Sequence, residues 1–197
     1  LDDIDNHEIK QDYTDSIDTV EAAANKSKGI ILKLLSQVDK TNTSFDVVRL
    51  NEVIDTVTRI YETELKNKNI KIDLKLAKNM RILGNMEDLV KAVSNFVGNS
   101  KEALEMKESD DKCISISSYS EPGKIVLVIS DNGIGLSEEI KNKIFDPFFT
   151  TKDIGEGLGL GATQAYDILK KHNAEIYVKS ETGKFTTIIV EFKEITQ

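Results

Sequence analysis

The sequence predicts a two-layer sandwich of the α/β (α+β) class, with a mixed sheet and one long helix before it. After residue 43, strand-like and helix-like segments follow one another in a mixed order, which indicates helices packed on one sheet. Within the first forty residues, apolar and small residues recur at alternating steps of four and three, which is typical of one face of a helix packed on other helices. This stripe consists of Tyr13, Ile17, Val20, Ala24, Ser27, Ile31, Leu34 and Val38.

The polar run 41–44 interrupts the stripe, so we expect a helical domain at 1–42 and an α/β domain at 43–197. In the second domain, strands are expected at 45–48, 70–76, 80–83, 114–119, 125–129, 176–178 and 187–192. Helices are expected at 51–66, 86–105 and 160–172. The caps are expected to be Asn51 and Asn85, and Asn173 is the expected left-handed residue after the last helix. The uniformly apolar run 125–129 should lie at the centre of the sheet.

Composition limits the function classes. The chain has 197 residues, 39% apolar and 30% charged, which is typical of a globular protein. Its net charge of −8, concentrated in eight acids among the first 24 residues, argues against binding to nucleic acid or to anionic membranes. The apolar runs 29–35 and 125–129 are too short to span a bilayer. A single cysteine, Cys113, cannot form an intrachain disulfide, which favours a reducing compartment.

The helix expected at 86–105 places Asn95 and Asn99 one turn apart, so both carboxamides lie on one face. Lys91 and Glu102 continue this polar stripe. An amide oxygen is a hard, neutral ligand that suits Mg²⁺, an ion that takes few protein ligands together with phosphate and water. On this helix alone, two polar residues on a solvated face remain the simpler interpretation.

A second candidate site follows the most apolar strand, in the sequence Ser-Asp-Asn-Gly-Ile-Gly at 130–135. Asp131 at a strand end can accept a hydrogen bond from an exocyclic amine. Gly133 and Gly135 would let the backbone approach a flat ring. The alternative is an ordinary strand, turn and helix with Ser137 as the N-cap.

A third candidate is the glycine-rich run 155–161, which leads directly into a helix. Glycines at alternate positions free backbone N–H groups to surround phosphates, and the helix dipole adds to the attraction. The pattern G-x-G-x-x-A at 157–162, followed by Glu181, imitates a dinucleotide-binding fingerprint. That fingerprint needs a strand leading into the first glycine, whereas 149–154 is a polar loop. A P-loop motif does not occur in the sequence.

The order of these motifs, together with the string Phe-Asp-Pro-Phe-Phe-Thr-Thr-Lys at 145–152, resembles the ATP-binding domain of two-component sensor histidine kinases. These domains belong to the Bergerat-fold superfamily, which includes DNA gyrase and MutL. The resemblance covers about residues 45–193 and implies a Bergerat ATP-binding fold. The 145–152 string points to the kinases within that superfamily.

The resemblance implies roles for individual residues. Asn99 would ligate Mg²⁺ beside ATP, Asn95 would lie near the phosphates, and Asp131 would bind the adenine amine. Gly133 and Gly135 would line the base pocket, and the glycine run with Lys152 would form a mobile lid and phosphate grip. The cofactor-binding set is Asn95, Asn99, Asp131, Gly133, Gly135, Lys152, Gly155, Gly157, Leu158, Gly159 and Leu160.

One position favours phosphoryl transfer over hydrolysis. The hydrolytic relatives resemble one another in a Glu one turn before the magnesium Asn, and here that position is Asn95, which cannot act as a general base. A phosphotransferase does not need this base, because positioning and metal electrostatics lower most of the barrier. Departures from the family pattern are Asn173-Ala174 and Phe185, where glycines are usual, and a short lid at 152–155.

The two histidines are candidates for the phosphoacceptor. His172 lies at the end of a helix, where the dipole would stabilise a cation, so we assign it a structural role. His7 begins a His-Glu-Ile-Lys run that resembles the acceptor motif, but Asp12 replaces its proline. Because 1–42 predicts a single helix, we interpret it as the second helix of a dimerisation hairpin and expect the acceptor before residue 1. His7 is the minor candidate.

The sequence therefore predicts an ATP-dependent protein-histidine kinase that passes its phosphoryl group to a response-regulator receiver domain. We expect ATP and Mg²⁺ as cofactors, a homodimer through the N-terminal helices, and no contact with nucleic acid or membrane. The expected location is the cytoplasm, either alone or as the cytoplasmic part of a membrane-anchored sensor. The alternatives are a nucleotide-binding signalling module without its own turnover and a Bergerat-type ATPase.

Overall fold

The computed structural model describes residues 16, 17, 20, 24, 27, 44–150 and 159–195. The chain divides into two units, Leu1–Thr43 and Ser44–Gln197. In the first unit, the five described residues are helical and exposed, with Ile17 and Val20 exposed by 63% and 70%. The helix predicted at 1–42 otherwise lies outside the described residues, as does His7.

The second unit contains seven strands and four helices in its described part, in a mixed order. The strands are β1 (Asp46–Arg49), β2 (Lys71–Leu76), β3 (Arg81–Gly84), β4 (Cys113–Glu121), β5 (Lys124–Asp131), β6 (Glu175–Glu181) and β7 (Phe185–Lys193). The helices are α1 (Leu50–Asn67), α2 (Met86–Glu105), α3 (Glu138–Lys143) and α4 (Gly161–Lys171). No helix in the described part of the chain has the length and hydrophobicity needed to cross a bilayer.

Five strands form the main sheet in the order β2-β4-β5-β7-β6. The β2–β4 pair is parallel and the other three pairs are antiparallel, so the sheet is mixed as predicted. β5 occupies the centre, and its Val126 and Leu127, which point to opposite faces, are both almost completely buried. This placement confirms the prediction made from its uniformly apolar sequence. β1 and β3 form a separate antiparallel pair.

The three longer helices, α1, α2 and α4, pack on the sheet and create a hydrophobic core with it. α2 contacts α1, α4, β4 and β5, and therefore lies in the middle of the helix layer. Its apolar stripe includes Leu89, Phe96 and Leu104, which are at most 3% exposed. The side chain of Asn85 caps α2 by accepting a hydrogen bond from the backbone N–H of Asp88, as predicted. The arrangement is the expected two-layer sandwich.

Two local expectations had different outcomes. Asn51 is not an N-cap, because α1 begins at the buried Leu50 and the Asn51 amide instead donates to the carbonyl of Ala77 at 3.0 Å. A tertiary acceptor thus outcompetes the local cap. Asn173 does adopt the left-handed conformation, with φ 53°, and Ala174 donates back to Leu169 to close the end of α4.

Candidate functional site

The polar face of α2 carries the two predicted carboxamides. Asn99 is exposed, and Asn95 is partly buried one turn earlier. The Asn95 Nδ2 atom is buried and has no hydrogen-bond partner within the described part of the chain. An unsatisfied buried amide costs about 1–3 kcal/mol, so the fold keeps a donor here that a bound acceptor could satisfy.

The first residue of α4 lies against this amide. A Cβ atom added to Gly161 would be 3.5 Å from Asn95 Oδ1, so the beginning of α4 and the polar face of α2 border the same space. The N-cap residue of α4, Leu160, forms no side-chain cap hydrogen bond. The first N–H groups of α4 and the positive end of its helix dipole lie at this end of the helix, where they favour an anion. The combination of an amide donor and the beginning of a helix suits phosphate oxygens.

Asp131 is the last residue of β5 and is only 4% exposed. Its Oδ2 accepts a hydrogen bond from Ser100 Oγ at 2.9 Å, and its Oδ1 accepts one from the backbone N–H of Gly133 at 3.0 Å. Burial raises the pKa of the Asp131 carboxyl above its ordinary value, although these donors, the Thr186 backbone and the Lys107 charge oppose the shift. The result is a desolvated acceptor held in a fixed orientation.

Gly133 and Gly135 are required mainly by the packing of the turn. A Cβ atom at Gly133 would lie 2.8 Å from the carbonyl oxygen of Ala103 in α2. At Gly135, where φ is +64°, a Cβ atom would lie 2.1 Å from the carbonyl oxygen of Glu181. On the side where a Cβ atom would project, both glycines meet the protein's own backbone, so they fix the turn between α2 and β6.

The aromatic segment 145–149 contacts α4 and the residue before its N-cap. Gly159 has φ +62°, and its carbonyl accepts a hydrogen bond from the N–H of Phe148 at 3.0 Å. Phe148 itself is left-handed, with φ 66°, and the Phe145 ring packs on Tyr166 with centroids 5.0 Å apart. Leu160, at the N-cap position of α4, is half-buried. Lys152, Gly155, Gly157 and Leu158 lie outside the described residues.

Sequence reasoning missed two residues that fix the Asp131 turn. Ser100, which directly follows Asn99, is 5% exposed and points to Asp131. Lys107 donates to the carbonyl of Asn132 at 2.7 Å and to that of Asp111 at 3.1 Å. The sequence did contain a signal for Ser100, because this polar residue falls on the apolar stripe of α2, where a buried position is expected.

His172 has a structural role that differs in detail from the expected one. The ring is 5% exposed, its Nε2 accepts a hydrogen bond from the Asn85 backbone N–H at 3.0 Å, and its Nδ1 lies 2.7 Å from the Ile168 carbonyl. Nε2 must accept and Nδ1 must donate, so the ring is neutral rather than the cation that we expected from the helix dipole. A cavity of about 300 Å³ adjoins this ring. His172 follows the far end of the eleven-residue α4, about 16 Å from the candidate site.

A divalent metal would need ligands beyond the protein. No group of three or more His, Cys, Asp or Glu side chains suited to a metal occurs among residues 44–150 and 159–195 or the five described positions before them. Asn99 offers one exposed amide oxygen beside the anion-binding space. This donor set fits Mg²⁺ only in company with phosphate oxygens and water, which is how that ion usually binds in phosphoryl-transfer sites.

Together, the fold and this geometry define a nucleotide-binding α/β sandwich, with a buried carboxylate at one end and phosphate-type donors at the other. Residues 84–196 match the family described as histidine kinase-, DNA gyrase B-, and HSP90-like ATPase, and the chain belongs to this family. The predicted resemblance to the ATP-binding catalytic domain of sensor histidine kinases is thereby confirmed.

Individual relatives agree with this assignment. The chain is 25% identical over 194 residues to sensor kinase CckA of Brucella abortus, covering 92% of this chain and 20% of that protein. It is 29% identical over 181 residues to sporulation kinase C of Bacillus subtilis, covering 89% of this chain and 41% of that protein. The solved catalytic domain of histidine kinase ThkA superposes with a TM-score of 0.66 at 26% identity, covering 76% of this chain and 95% of that domain. The chain thus spans only a fifth to two fifths of the two full-length kinases.

Proposed function

We propose that this chain binds Mg·ATP and forms part of a protein-histidine kinase, which transfers the γ-phosphoryl group to a histidine and then to a response regulator. The observation that supports this most directly is the buried amide of Asn95, which has no hydrogen-bond partner within residues 44–150 and 159–195 and lies beside the first turn of α4. These donors suit a polyphosphate, and the family membership makes ATP its natural source.

The two ends of the site would divide the nucleotide between them. Asp131 would accept a hydrogen bond from the exocyclic amine of adenine, and the turn containing Gly133 and Gly135 would form the floor of the base pocket. Asn95 and the N–H groups at the start of α4 would face the phosphates. We propose the same phosphate-binding role for the remaining residues of the predicted set, which are Lys152, Gly155, Gly157, Leu158, Gly159 and Leu160.

Asn99 would be the protein ligand to Mg²⁺. When bound, this ion supplies positive charge to the phosphate oxygens as negative charge develops during transfer. Asn99 suits that task because its exposed amide oxygen lies one turn from Asn95, on the same face of α2.

The residues present favour transfer to a protein over hydrolysis. A carboxylate at position 95 could deprotonate an attacking water, but the carboxamide of Asn95 cannot. The catalytic domain then contributes orientation and charge complementarity, and the acceptor contributes the nucleophile. We propose that residues 1–42 are one helix of a dimerisation hairpin, that 43–197 form the catalytic domain, and that the acceptor histidine belongs to such a hairpin, with His7 the minor candidate.

Partners and location follow from this proposal. The histidine kinase ThkA, which shares this fold, has been solved in complex with the response regulator protein TrrA. We propose a receiver domain as the partner of this chain as well, and a homodimer through its N-terminal helices. A cytoplasmic location would supply ATP and keep the half-buried Cys113 reduced.

Incubation with γ-labelled Mg·ATP tests the proposal, with a helical hairpin that contains a histidine supplied as acceptor. Acid-labile, base-stable label on a protein chain is the expected result. Release of free phosphate would identify an ATPase instead, and bound but unreacted ATP would identify a binding module.

Asn99→Ala tests the assignment of the site. We expect this variant to lose magnesium-dependent nucleotide binding, whereas Asn67→Ala, which removes an exposed amide from the last turn of α1, should bind as the unchanged chain does. Calorimetric titration with Mg·ADP measures both. Equal affinity in Asn99→Ala and in the unchanged chain would remove Asn99 from the site.

A further inference from the structure

Ser100 lies at a position of α2 where an apolar residue would ordinarily pack. The residue is 5% exposed, and its hydroxyl donates to Oδ2 of Asp131, which is itself 4% exposed. The bond is 2.9 Å long and both of its groups are buried, so it is shielded from competing water. The helix that offers Asn95 and Asn99 to the phosphates thus also touches the residue proposed to bind the base.

The groups that surround Asp131 come from three elements. Ser100 approaches from α2, Gly133 from the turn after β5, and the Thr186 backbone from β7, while Lys107, two residues beyond α2, is the cation that acts on the carboxylate. Desolvation is the largest influence and favours the protonated acid. Among the described residues that bond this carboxylate, Ser100 is the side-chain donor, and the others are backbone groups that substitution cannot remove.

We propose that Ser100 is a positioning residue that keeps Asp131 ionised and oriented as a hydrogen-bond acceptor, and that it thereby selects 6-amino purines over 6-oxo purines. This inference rests on the proposed function, in which Asp131 binds the amine of adenine. Ser100 does not itself contact the base in this role.

The selection follows from donor and acceptor matching. An ionised carboxylate accepts a hydrogen bond from an amine but repels the lone pairs of a carbonyl oxygen, whereas a protonated carboxyl can donate to that oxygen. Withdrawing the Ser100 hydroxyl removes one of the donors that oppose desolvation, so a larger fraction of Asp131 becomes protonated at a given pH. It also frees Oδ2 to rotate away from the base.

Mg·ADP and Mg·IDP are suitable probes because they differ only in the base, chiefly in the 6-amino and 6-oxo groups. Their phosphates titrate alike, so the ratio of the two affinities reports on the base end alone. Both affinities should be measured by calorimetric titration from mildly acidic to neutral pH, for the unchanged chain, for Ser100→Ala and for Ser130→Ala. Ser130 is the matched control, since its hydroxyl bonds the Thr187 hydroxyl at 2.6 Å and the Thr186 carbonyl at 3.3 Å and not the adjacent Asp131 carboxylate.

We expect Ser100→Ala to weaken Mg·ADP binding about tenfold at neutral pH, the scale of a lost hydrogen bond to a charged group. Binding of Mg·IDP should weaken less, so the ADP to IDP ratio should fall. As the pH is lowered, the affinity of Ser100→Ala for Mg·ADP should begin to decline at a higher pH than that of the unchanged chain, because binding requires the ionised form of Asp131. Ser130→Ala should keep both the ratio and the pH profile.

Thermal unfolding without nucleotide distinguishes these effects from loss of the fold. Ser100→Cys, which keeps the volume but offers a weaker donor, should give a ratio between those of Ser and Ala. An unchanged ratio and pH profile in folded Ser100→Ala would overturn the role of Ser100 and leave the proposed function intact. Failure of the unchanged chain to bind Mg·ADP would instead overturn the proposed function and this inference with it.

Discussion

The His172 ring joins the far end of α4 to the beginning of α2, the two helices that border the candidate phosphate space. Its Nε2 accepts a hydrogen bond from the backbone N–H of the α2 N-cap residue Asn85. In a capping box, the N–H of the N-cap residue donates to a Glu or Gln side chain three residues into the helix. Here it donates to a residue 87 positions away. His172→Leu removes the acceptor while keeping most of the side-chain volume.

The cost of His172→Leu follows from its contacts. The half-buried N–H of Asn85 loses its partner, for about 1–3 kcal/mol. The ring pair with Phe45, with centroids 4.6 Å apart, is lost for about 0.5–1.5 kcal/mol. The carbonyl of Ile168 still accepts a hydrogen bond from the His172 backbone N–H, so loss of the ring Nδ1 adds nothing to the cost in stability. The sum is about 3 kcal/mol, or about 6–12 °C in the thermal midpoint of a chain of this size.

Urea unfolding followed by far-ultraviolet circular dichroism measures this free energy. Phe45→Leu is the matched control, because it removes the ring pair and leaves both hydrogen bonds of His172 in place. We expect Phe45→Leu to cost about 1 kcal/mol. If His172→Leu destabilised the chain no more than Phe45→Leu does, the bond to Asn85 would contribute nothing and the proposed link between the two helices would be refuted.

Three further predictions concern other parts of the structure. Gly135→Ala should destabilise the chain by more than about 2 kcal/mol in urea unfolding, because the new Cβ would overlap the Glu181 carbonyl and φ is positive. Its control is Gly123→Ala, where φ is also positive but the Cβ would meet open space, and this variant should cost only about 1 kcal/mol. Asn85→Ala should cost about 1 kcal/mol through loss of the α2 cap, and no change would disprove the cap. The pKa of Asp131 is raised in the folded chain, so its ionisation lowers the free energy of unfolding of the unchanged chain as the pH rises from acid to neutral. Asp131→Asn lacks this ionisation and should therefore gain stability relative to the unchanged chain over that range. A stability difference that does not vary with pH would contradict this.

Much of the fold could be predicted because local patterns and tertiary packing agree. The apolar periodicity of α2 and the side chain of Asn85 both favour a helix that begins at residue 86, and the observed helix runs over Met86–Glu105 as expected. The central position of β5 followed from a strand that is apolar on both faces. In each case the signal lies within one element, where spacing alone determines which face is buried.

The remaining details depend on contacts between distant parts of the chain. Asn51 was expected to cap α1, but its amide finds the carbonyl of Ala77, 26 residues away. His172 was expected to be a cation, but the Asn85 N–H requires a neutral ring nitrogen. Periodicity identifies the buried face of a helix without identifying its partners, so the pairing of Ser100 with Asp131 could not be found in the same way.

The candidate site is organised around α2. Ser100 lies five positions after Asn95, a rise of about 7.5 Å, so one rigid helix reaches both the phosphate end and the base end of the candidate site. The base end is attached to α2 by the Ser100 bond to Asp131 and by the Ile134 N–H bond to the Ala103 carbonyl. A substitution that displaces α2 should therefore weaken base selection and magnesium dependence together, whereas loss of one without the other indicates a residue that acts at that end alone.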